Sequence, residues 1–568
     1  MSTRTDWILD RHEARAPGGM VATKDRIAAE LGAEVLRRGG NAVDAAVTAA
    51  FALGVVEPFM SGVGGGGFLV AHLPERGETV VVDYAMVAPR AASAGMYPLA
   101  GGSDQDLFGW PAVEGNANTV GHRAVAVPGT VAGLALALER FGTVPLAEAL
   151  APAIRLADEG FPVSWHTALY VAIDLENLNR YPATRATFTD DGVPPSPLPG
   201  LMRPLRQPDL AATLRSIAAE GPRVFYEGPI ADAIVADMRA NDGLIDAGDL
   251  ASYRARVVPP LRSGYRGHEV VGAPAASGGP TVLETLNLME GAPLARLGHN
   301  SVAALHEIAE ACRQALVDRF AYLADPDFVP VPVAELVSKA YAAEQRTGFL
   351  PDRARETVLA GDRGRLGVAH DPETSEPGYG RLPMTTTHVS VVDRAGNAVS
   401  LTQTLLSGWG SRVVVPGTGV LLNNGMMWFD PEPGRPNSIE GGKRPLANMA
   451  PILLLRDGQS FMSLGAMGGR RILNAVPQIV ANVVDFGMGI QEAITAPRID
   501  YSTRRLEVSD RLPAETIAGL ESLGYPVHPV EEHVLSFEFG SPVGVLALPD
   551  GLAGGANPFY PAMAVGVD

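Results

Sequence analysis

Apolar residues recur at helical spacing in Arg26-Ile27-Ala28-Ala29-Glu30-Leu31-Gly32-Ala33-Glu34-Val35-Leu36, which predicts an amphipathic helix over 25–38 closed by Gly39-Gly40. The next stretch, Ala42 to Leu53, is apolar on nearly every side, so the helix it predicts is buried all round. Gly62 to Gly67 then leads into a short strand pattern, Phe68 to His72, and Val127-Pro128-Gly129-Thr130 opens a helix over Val131 to Arg140. Helical patterns continue to about residue 255, with proline-rich turns near 194–208. Residues 268–279 read as a strand ending in Ala276-Ser277-Gly278-Gly279, and helices follow to about 345.

The second part of the chain changes period. Thr385 to Asp393 and Ala398 to Thr404 are rich in β-branched residues and are separated by Arg394-Ala395-Gly396-Asn397, which predicts two strands joined by a tight turn. Further strand patterns cover Gly419 to Asn424, Ala450 to Leu455 and Phe461 to Ala466; Met467-Gly468-Gly469-Arg470-Arg471 then precedes an apolar helix, Ile472 to Val484. Strands with helices outside them indicate a layered α+β fold, and no internal repeat is present.

Three consecutive threonines at the head of a hairpin suggest a point where the chain is cut and a threonine becomes an N-terminus. A threonine hydroxyl is a weak nucleophile, but a free α-amine on the same residue, with a pKa of about 8, can serve as its general base. Threonine is also a good strand former, so an ordinary strand accounts for the run as well, and Thr385, Thr386 and Thr387 are chemically equivalent candidates. The polar, Gly- and Pro-bearing stretch 361–384 ahead of them is expected to be mobile and exposed, as a processing segment should be.

Composition narrows the classes. The chain of 568 residues is 46% hydrophobic and 19% charged, enough to bury a large core, and no linker divides it, so one compact unit is expected. A formal charge of −18 disfavours nucleic-acid binding. The single cysteine, Cys312, excludes an intramolecular disulfide and sits in a helical pattern as a small buried residue. With no apolar core in the N-terminal stretch and no run long enough to span a bilayer, no membrane association is expected and the cytoplasm is the default compartment.

Other chemistries recede. Gly62-Val63-Gly64-Gly65-Gly66-Gly67 has the spacing of a dinucleotide loop, but it follows a helix and enters a strand, the reverse of the required order. Its glycines are expected to let backbone approach backbone. There is no G-x-S-x-G elbow and no P-loop, and His306-Glu307-Ile308-Ala309-Glu310 lacks the second histidine of a zinc helix.

Together these segments resemble the γ-glutamyltransferase family of N-terminal-nucleophile hydrolases. The matching stretches, in order, are Gly40 to Ala46, Gly64 to Phe68, Val127 to Gly133, Ser277-Gly278-Gly279, Asp325-Pro326-Asp327-Phe328, Thr386-Thr387-His388, Leu422-Asn423-Asn424, Lys443-Arg444-Pro445-Leu446 and Gly468-Gly469. The resemblance implies a four-layer αββα sandwich made as one proenzyme, cut into a large subunit, 1–385, and a small subunit, 386–568, that stay associated as a heterodimer, with further oligomerisation left open. It selects Thr386 as nucleophile and base, with the cut between Thr385 and Thr386. Thr404 is the second threonine that hydrogen-bonds the nucleophile, and Gly468 and Gly469 form the oxyanion hole, with no metal or cofactor required.

The substrate-recognition residues that the resemblance implies have changed. After Asp83-Tyr84, Ala85 stands where the family has a carboxylate-binding arginine. Leu406 replaces an asparagine, Gly425 a glutamine and Trp428 the aspartate that holds an α-amine, while Ala447-Asn448 replace a serine pair. Leu406, Met427 and Trp428 are expected to form an apolar wall; Arg90, Arg412 and Arg470 are the arginines able to substitute for the missing one, each with a surface or structural alternative. The segment from Phe429 to Lys443 is short for a lid, which implies a more open pocket. The expected activity is hydrolysis or acyl transfer through Thr386 on a small-molecule substrate with a non-glutamyl acyl group, of acylase or amidohydrolase type. A genuine glutathione hydrolase, a C–C bond hydrolase and an unprocessed non-catalytic scaffold are the alternatives.

Overall fold

The computed structural model describes residues 11–103, 110–366, 385–534 and 536–568. Residues 367–384, most of the stretch expected to be exposed ahead of the threonines, lie outside the described residues.

Two seven-stranded antiparallel sheets form the centre. In the first, the strands run in the order Met563–Val567, Gly19–Thr23, Thr387–Asp393, Ala398–Thr404, Gly66–Leu73, Glu78–Tyr84 and Arg256–Val258. In the second the order is Ala14–Ala16, Gly551–Ala556, Ser541–Leu548, Gln459–Met467, Ile452–Arg456, His268–Gly272 and Leu261–Tyr265. The sheets lie face to face, with Thr387–Asp393 against Gln459–Met467 and Ser541–Leu548. Arg26–Arg37, Ala42–Val56 and Thr130–Phe141 cover the first sheet; Gly279–Glu290 and Ile472–Val484 cover the second, with Val302–Tyr322 packed on them. This is the four-layer αββα sandwich.

Each end of the chain supplies strands to both sheets, so burial along these strands depends on distant partners. Gly19–Thr23 is wholly buried because Met563–Val567 pairs on one side and Thr387–Asp393 on the other. The sequence pattern does not reveal Gly19–Thr23, Ser541–Leu548, Gly551–Ala556 or Met563–Val567, since short glycine-bearing strands carry little alternation of their own. Two expected strands are shorter than their composition suggests. Only His268–Gly272 of 268–279 pairs, because Ser277 Oγ takes up the Ala273 carbonyl and turns the chain into a helix; only Val420–Leu421 of Gly419 to Asn424 pairs.

The buried helix Ala42–Val56 begins at a capping box in which Asn41 accepts from Val43 and Asp44 N–H groups and Asp44 accepts from Asn41 N–H at 2.8 Å. Asp44, fully buried, also accepts from Thr143 N at 2.8 Å, Thr143 Oγ1 at 2.6 Å and Val144 N at 3.1 Å. One carboxylate therefore joins the cap to the start of the next helical layer. The glycines at 64–67 permit backbone contact: a Cβ would stand 2.1 Å from the Leu421 carbonyl oxygen at Gly64 and 2.2 Å from that of Thr404 at Gly65.

Replacing Asp44 by Ala strands four partner groups around a cavity. The expected cost is about 3 kcal/mol, read as a lowered denaturation midpoint, and an unchanged midpoint would remove Asp44 from this role.

Candidate active site between the two sheets

Side chains at i and i+2 of a strand share a face, so Thr386 and His388 project together between the sheets while Thr387 turns toward the helical layer. Thr386 Oγ1 donates to Thr404 Oγ1 at 3.2 Å, across the pair of strands that the Gly396-Asn397 turn joins. Thr404 Oγ1 accepts a second hydrogen bond, from Leu406 N at 2.8 Å. Thr385 spends its hydroxyl on the Leu406 carbonyl, and Thr387 lies beside the buried Glu57 carboxyl. Of the three threonines, Thr386 is the one aimed at the second threonine.

The facing sheet brings the glycines to the same end. Ser460 Oγ donates to Gly396 O, Ser463 Oγ to Val399 O and Ser400 Oγ to Leu464 O, each pair 64 residues apart. The two strands therefore run in step, and the same offset continued four residues beyond Ser400 and Leu464 matches Thr404 with Gly468. Gly468 and Gly469 have φ of +131° and +59°, values natural only to glycine. The carbonyl of Gly468 accepts from Arg471, while no turn or loop hydrogen bond among the described residues takes the N–H of Gly468 or Gly469.

His388 is not a base in this arrangement. Its ring is packed over Gly465, where a Cβ would come within 2.2 Å of it, and it exchanges hydrogen bonds with Thr402 Oγ1 at 2.7 Å and Ser390 Oγ at 3.0 Å. Complete burial pulls its pKa down to about 3. Lys24 approaches from the neighbouring strand and donates to Ser541 Oγ at 3.1 Å; Ser541 pairs with Met467, one residue before Gly468. Burial drives the Lys24 ammonium down to about 8, against the opposing pull of Glu57.

Backbone strain gathers here. Thr386, Leu406, Trp409 and Arg412 have φ of +145°, +93°, +62° and +66°. Such conformations cost about 1–3 kcal/mol each in a residue with a side chain and persist only where surrounding bonds hold them. The holders are visible: Asn424 accepts from Ser407 N and donates to Thr119 O and Ser407 Oγ, and Arg412 donates to Gly410 O and pairs with Asp174 at 2.7 Å. Asn423 donates to Gly64 O and Ala126 O and accepts from Ala126 N and Gly425 N. The Asn-Asn pair is thus a brace.

The expected pocket residues divide. Leu406, Met427 and Trp428 are buried, with Trp428 O tied to Asn437 Nδ2 at 2.7 Å. Gly425 sits against Ala126 and Met86, where a Cβ would come within 2.8 Å of the Ala126 methyl. Ala85 carries no charge, and its carbonyl takes the Tyr253 hydroxyl at 2.8 Å. Tyr84 departs from its expected role: its ring fills the space over Gly133 and Gly67 in the helical layer, because alternation along its strand sends it to that side. Ala447 and Asn448 are buried beside Arg319. Arg412 is committed to Asp174, Arg90 is largely exposed beside Asp249, and Arg470 is buried over the Phe320 ring.

The segment after Trp428 is strapped down. Lys443 Nζ donates to Pro436 O and Ser438 O, and Asn437 Oδ1 accepts from Leu446 N. Arg444 and Arg256 gather Asp83, Asp325 and Asp327 into one ion-pair network, which joins the stretches Asp325 to Phe328 and Lys443 to Leu446. Among the described residues, no group of three or more His, Cys, Asp or Glu is placed to hold a metal ion, and no helix is long and apolar enough to cross a membrane.

The acylase ACY 1 proenzyme of Pseudomonas sp. (strain SE83) is 40% identical over 526 residues, covering 92% of this chain and 89% of the relative. The glutathione hydrolase proenzyme of Pseudomonas sp. (strain A14) is 40% identical over 495 residues, covering 85% and 81%. The crystal structure of cephalosporin acylase from Bacillus halodurans superposes with a TM-score of 0.85 at 29% identity, covering 100% of this chain and 99% of that one. Residues 28–567 match the gamma-glutamyltranspeptidase family, and the chain belongs to that family.

Proposed function

We propose that the chain cuts itself between Thr385 and Thr386 and that Thr386 is then the nucleophile of an acylase acting on amides with a non-glutamyl acyl group. The observation that carries this reading is the Thr386–Thr404 hydroxyl pair at 3.2 Å. In the intact chain, Thr386 Oγ1 attacks the Thr385 carbonyl carbon. The amide C–N bond breaks with its nitrogen taking the proton, and water hydrolyses the resulting ester. Cleavage also removes the strained φ at Thr386, since that angle no longer involves a peptide carbonyl. The fragments stay together because each sheet pairs strands from both sides of the cut.

In the processed enzyme, the Thr386 α-amine accepts the hydroxyl proton as Oγ1 attacks the substrate carbonyl. Backbone N–H groups of Gly468 and Gly469 receive the developing oxyanion, worth about 3 kcal/mol per donor. The amine leaving group departs with the proton, and water completes the cycle. A wall made of Leu406, Met427 and Trp428, with Ala85 in place of a cation, supports an acyl group without an amino-acid head. The glutathione hydrolase relative at 40% identity favours the second reading, a true γ-glutamyl hydrolase.

On a denaturing gel, wild type should show fragments Met1 to Thr385 and Thr386 to Asp568, and Thr386→Ala should remain one chain. A small fragment that starts at Thr385 or Thr387 would reassign the nucleophile. γ-Glutamyl-p-nitroanilide should be hydrolysed at least about 100-fold less efficiently than the best of a panel of non-glutamyl acyl anilides, because a lost charged contact is costly. Efficient, saturable turnover of it would select the second reading.

The pH profile separates the bases. The rate of processed enzyme should rise through an apparent pKa near that of an α-amine, about 8. His388 stays neutral down to about pH 3 and should contribute no limb near 6.5. Because unfolding returns it to an ordinary imidazole, its contribution to stability is present above about pH 6.5 and falls as the pH drops toward 3. An activity limb near 6.5 that disappears in His388→Asn would contradict this assignment.

A further inference from the structure

The helix Val302–Tyr322 is buried along most of its length, but Arg313, Val317 and Phe320 are only half covered. With the buried Leu316 they stand at i, i+3, i+4 and i+7, so they form one stripe on one face of the helix. The stripe lines a cavity of about 710 Å³, within the roughly 300–1,000 Å³ of small-molecule sites. The other walls come from the irregular segment 353–358, the loop 501–504 and the turn 522–526. None of the residues lining it belongs to the acyl-transfer machinery or to the apolar wall at Leu406.

The charge of this cavity runs against that of the whole chain. The chain carries a formal −18, yet the described residues lining the cavity include four arginines and one carboxylate, Glu356. Arg313 and Arg355 share the wholly buried carboxylate of Glu310: Arg313 Nη1 donates to Oε1 at 2.8 Å and Arg355 Nε donates to Oε2. One carboxylate against two guanidiniums leaves one positive charge over. Arg313 is also held by the Arg355 carbonyl at 2.9 Å and by the Tyr501 ring, whose centre lies 5.0 Å from its guanidinium carbon. These two cations are therefore fixed in advance. Arg353 differs, being 65% exposed and 3.8 Å from Asp352, which is 74% exposed. Such a pair contributes little, so the Arg353 guanidinium is free to turn toward a ligand.

We propose that this cavity binds a small organic carboxylate with an apolar or aromatic body. Arg353 and the charge left over at Arg313 and Arg355 take the carboxylate, and the body lies on Leu316, Val317 and Phe320. A planar guanidinium meets a carboxylate through two parallel hydrogen bonds. A purely inorganic ion would leave the apolar stripe against water, which is why the ligand needs an apolar body. The site goes beyond the acylase reading and does not depend on it. It adjoins the oxyanion glycines through one side chain: the Phe320 ring lies 5.7 Å from the Arg470 guanidinium, and Arg470 directly follows Gly469.

The test is calorimetric titration of the purified full-length protein with phenylbutyrate and with phenylbutanol, which has the same body and no charge. Phenylbutyrate should bind at least about tenfold tighter than phenylbutanol, the worth of hydrogen bonds to a charged group. Arg353→Glu, at the open rim, should erase that preference and leave phenylbutanol binding unchanged. Val317→Trp, which fills the cavity, should weaken both ligands at least about tenfold. An unchanged denaturation midpoint reports that each variant is folded; if Val317→Trp does not fold, Arg353→Glu decides. Absence of binding, equal affinity for the two ligands, or a phenylbutyrate preference that survives Arg353→Glu would overturn the proposal. Binding that a folded Val317→Trp retains would place the ligand elsewhere, the acyl pocket included, and would overturn it as well.

Discussion

The hydroxyl of Thr404 accepts two hydrogen bonds, one from Thr386 Oγ1 and one from Leu406 N, and much of the site follows from that double duty. The first bond sets the direction of the Thr386 hydroxyl. The second draws the chain beyond Thr404 into a backbone conformation that a leucine rarely adopts, with φ of +93°. Leu406 is held from its other side by Thr385, so the residue before Thr386 and the residue that lines the pocket are mechanically joined. Thr404 can occupy this place because Gly65 has no Cβ to displace its carbonyl.

Strain of this kind needs a rigid surround, and the recurring sequence stretches supply it. Asn423 and Asn424 make hydrogen bonds that span Gly64, Thr119, Ala126 and Ser407, so one dipeptide fixes several separate loops. Arg444 does the same with charge, since it joins Asp83 to Asp325 and Asp327 from another region of the chain. Their effect on chemistry is indirect: they keep the strained loop and the Trp428 segment from relaxing.

The two sides of the site answer to different pressures. Acyl transfer needs a hydroxyl, an amine and backbone donors, all of which depend on strand register rather than on side-chain variety. Recognition of the acyl group depends on a few side chains at the rim of that framework. A family fold can therefore keep the first set while the second changes.

Much of this was legible in the linear chain. Helical periodicity located Arg26–Arg37, Ala42–Val56 and Ile472–Val484 to within a few residues, and the hairpin of Thr387–Asp393 with Ala398–Thr404 followed from its turn and β-branched residues. Those are local signals, set by neighbours within a turn or a strand pair. The order Gly62 to Gly67 before a strand was enough to read close backbone packing in place of a nucleotide loop. The sequence could not locate Gly19–Thr23 or Met563–Val567, because they pair with each other from opposite ends of the chain and Gly19–Thr23 pairs on its other side with Thr387–Asp393. Nor could composition distinguish three threonines, among which the family resemblance selected Thr386; in the fold it is the Thr386 hydroxyl that meets Thr404. Alternation along its strand sent Tyr84 away from the pocket, and a single contact from a distant helix turned the Asn448 amide. Short-range chemistry set the strands, turns and caps; only the packing of one sheet on the other decided which side chains meet.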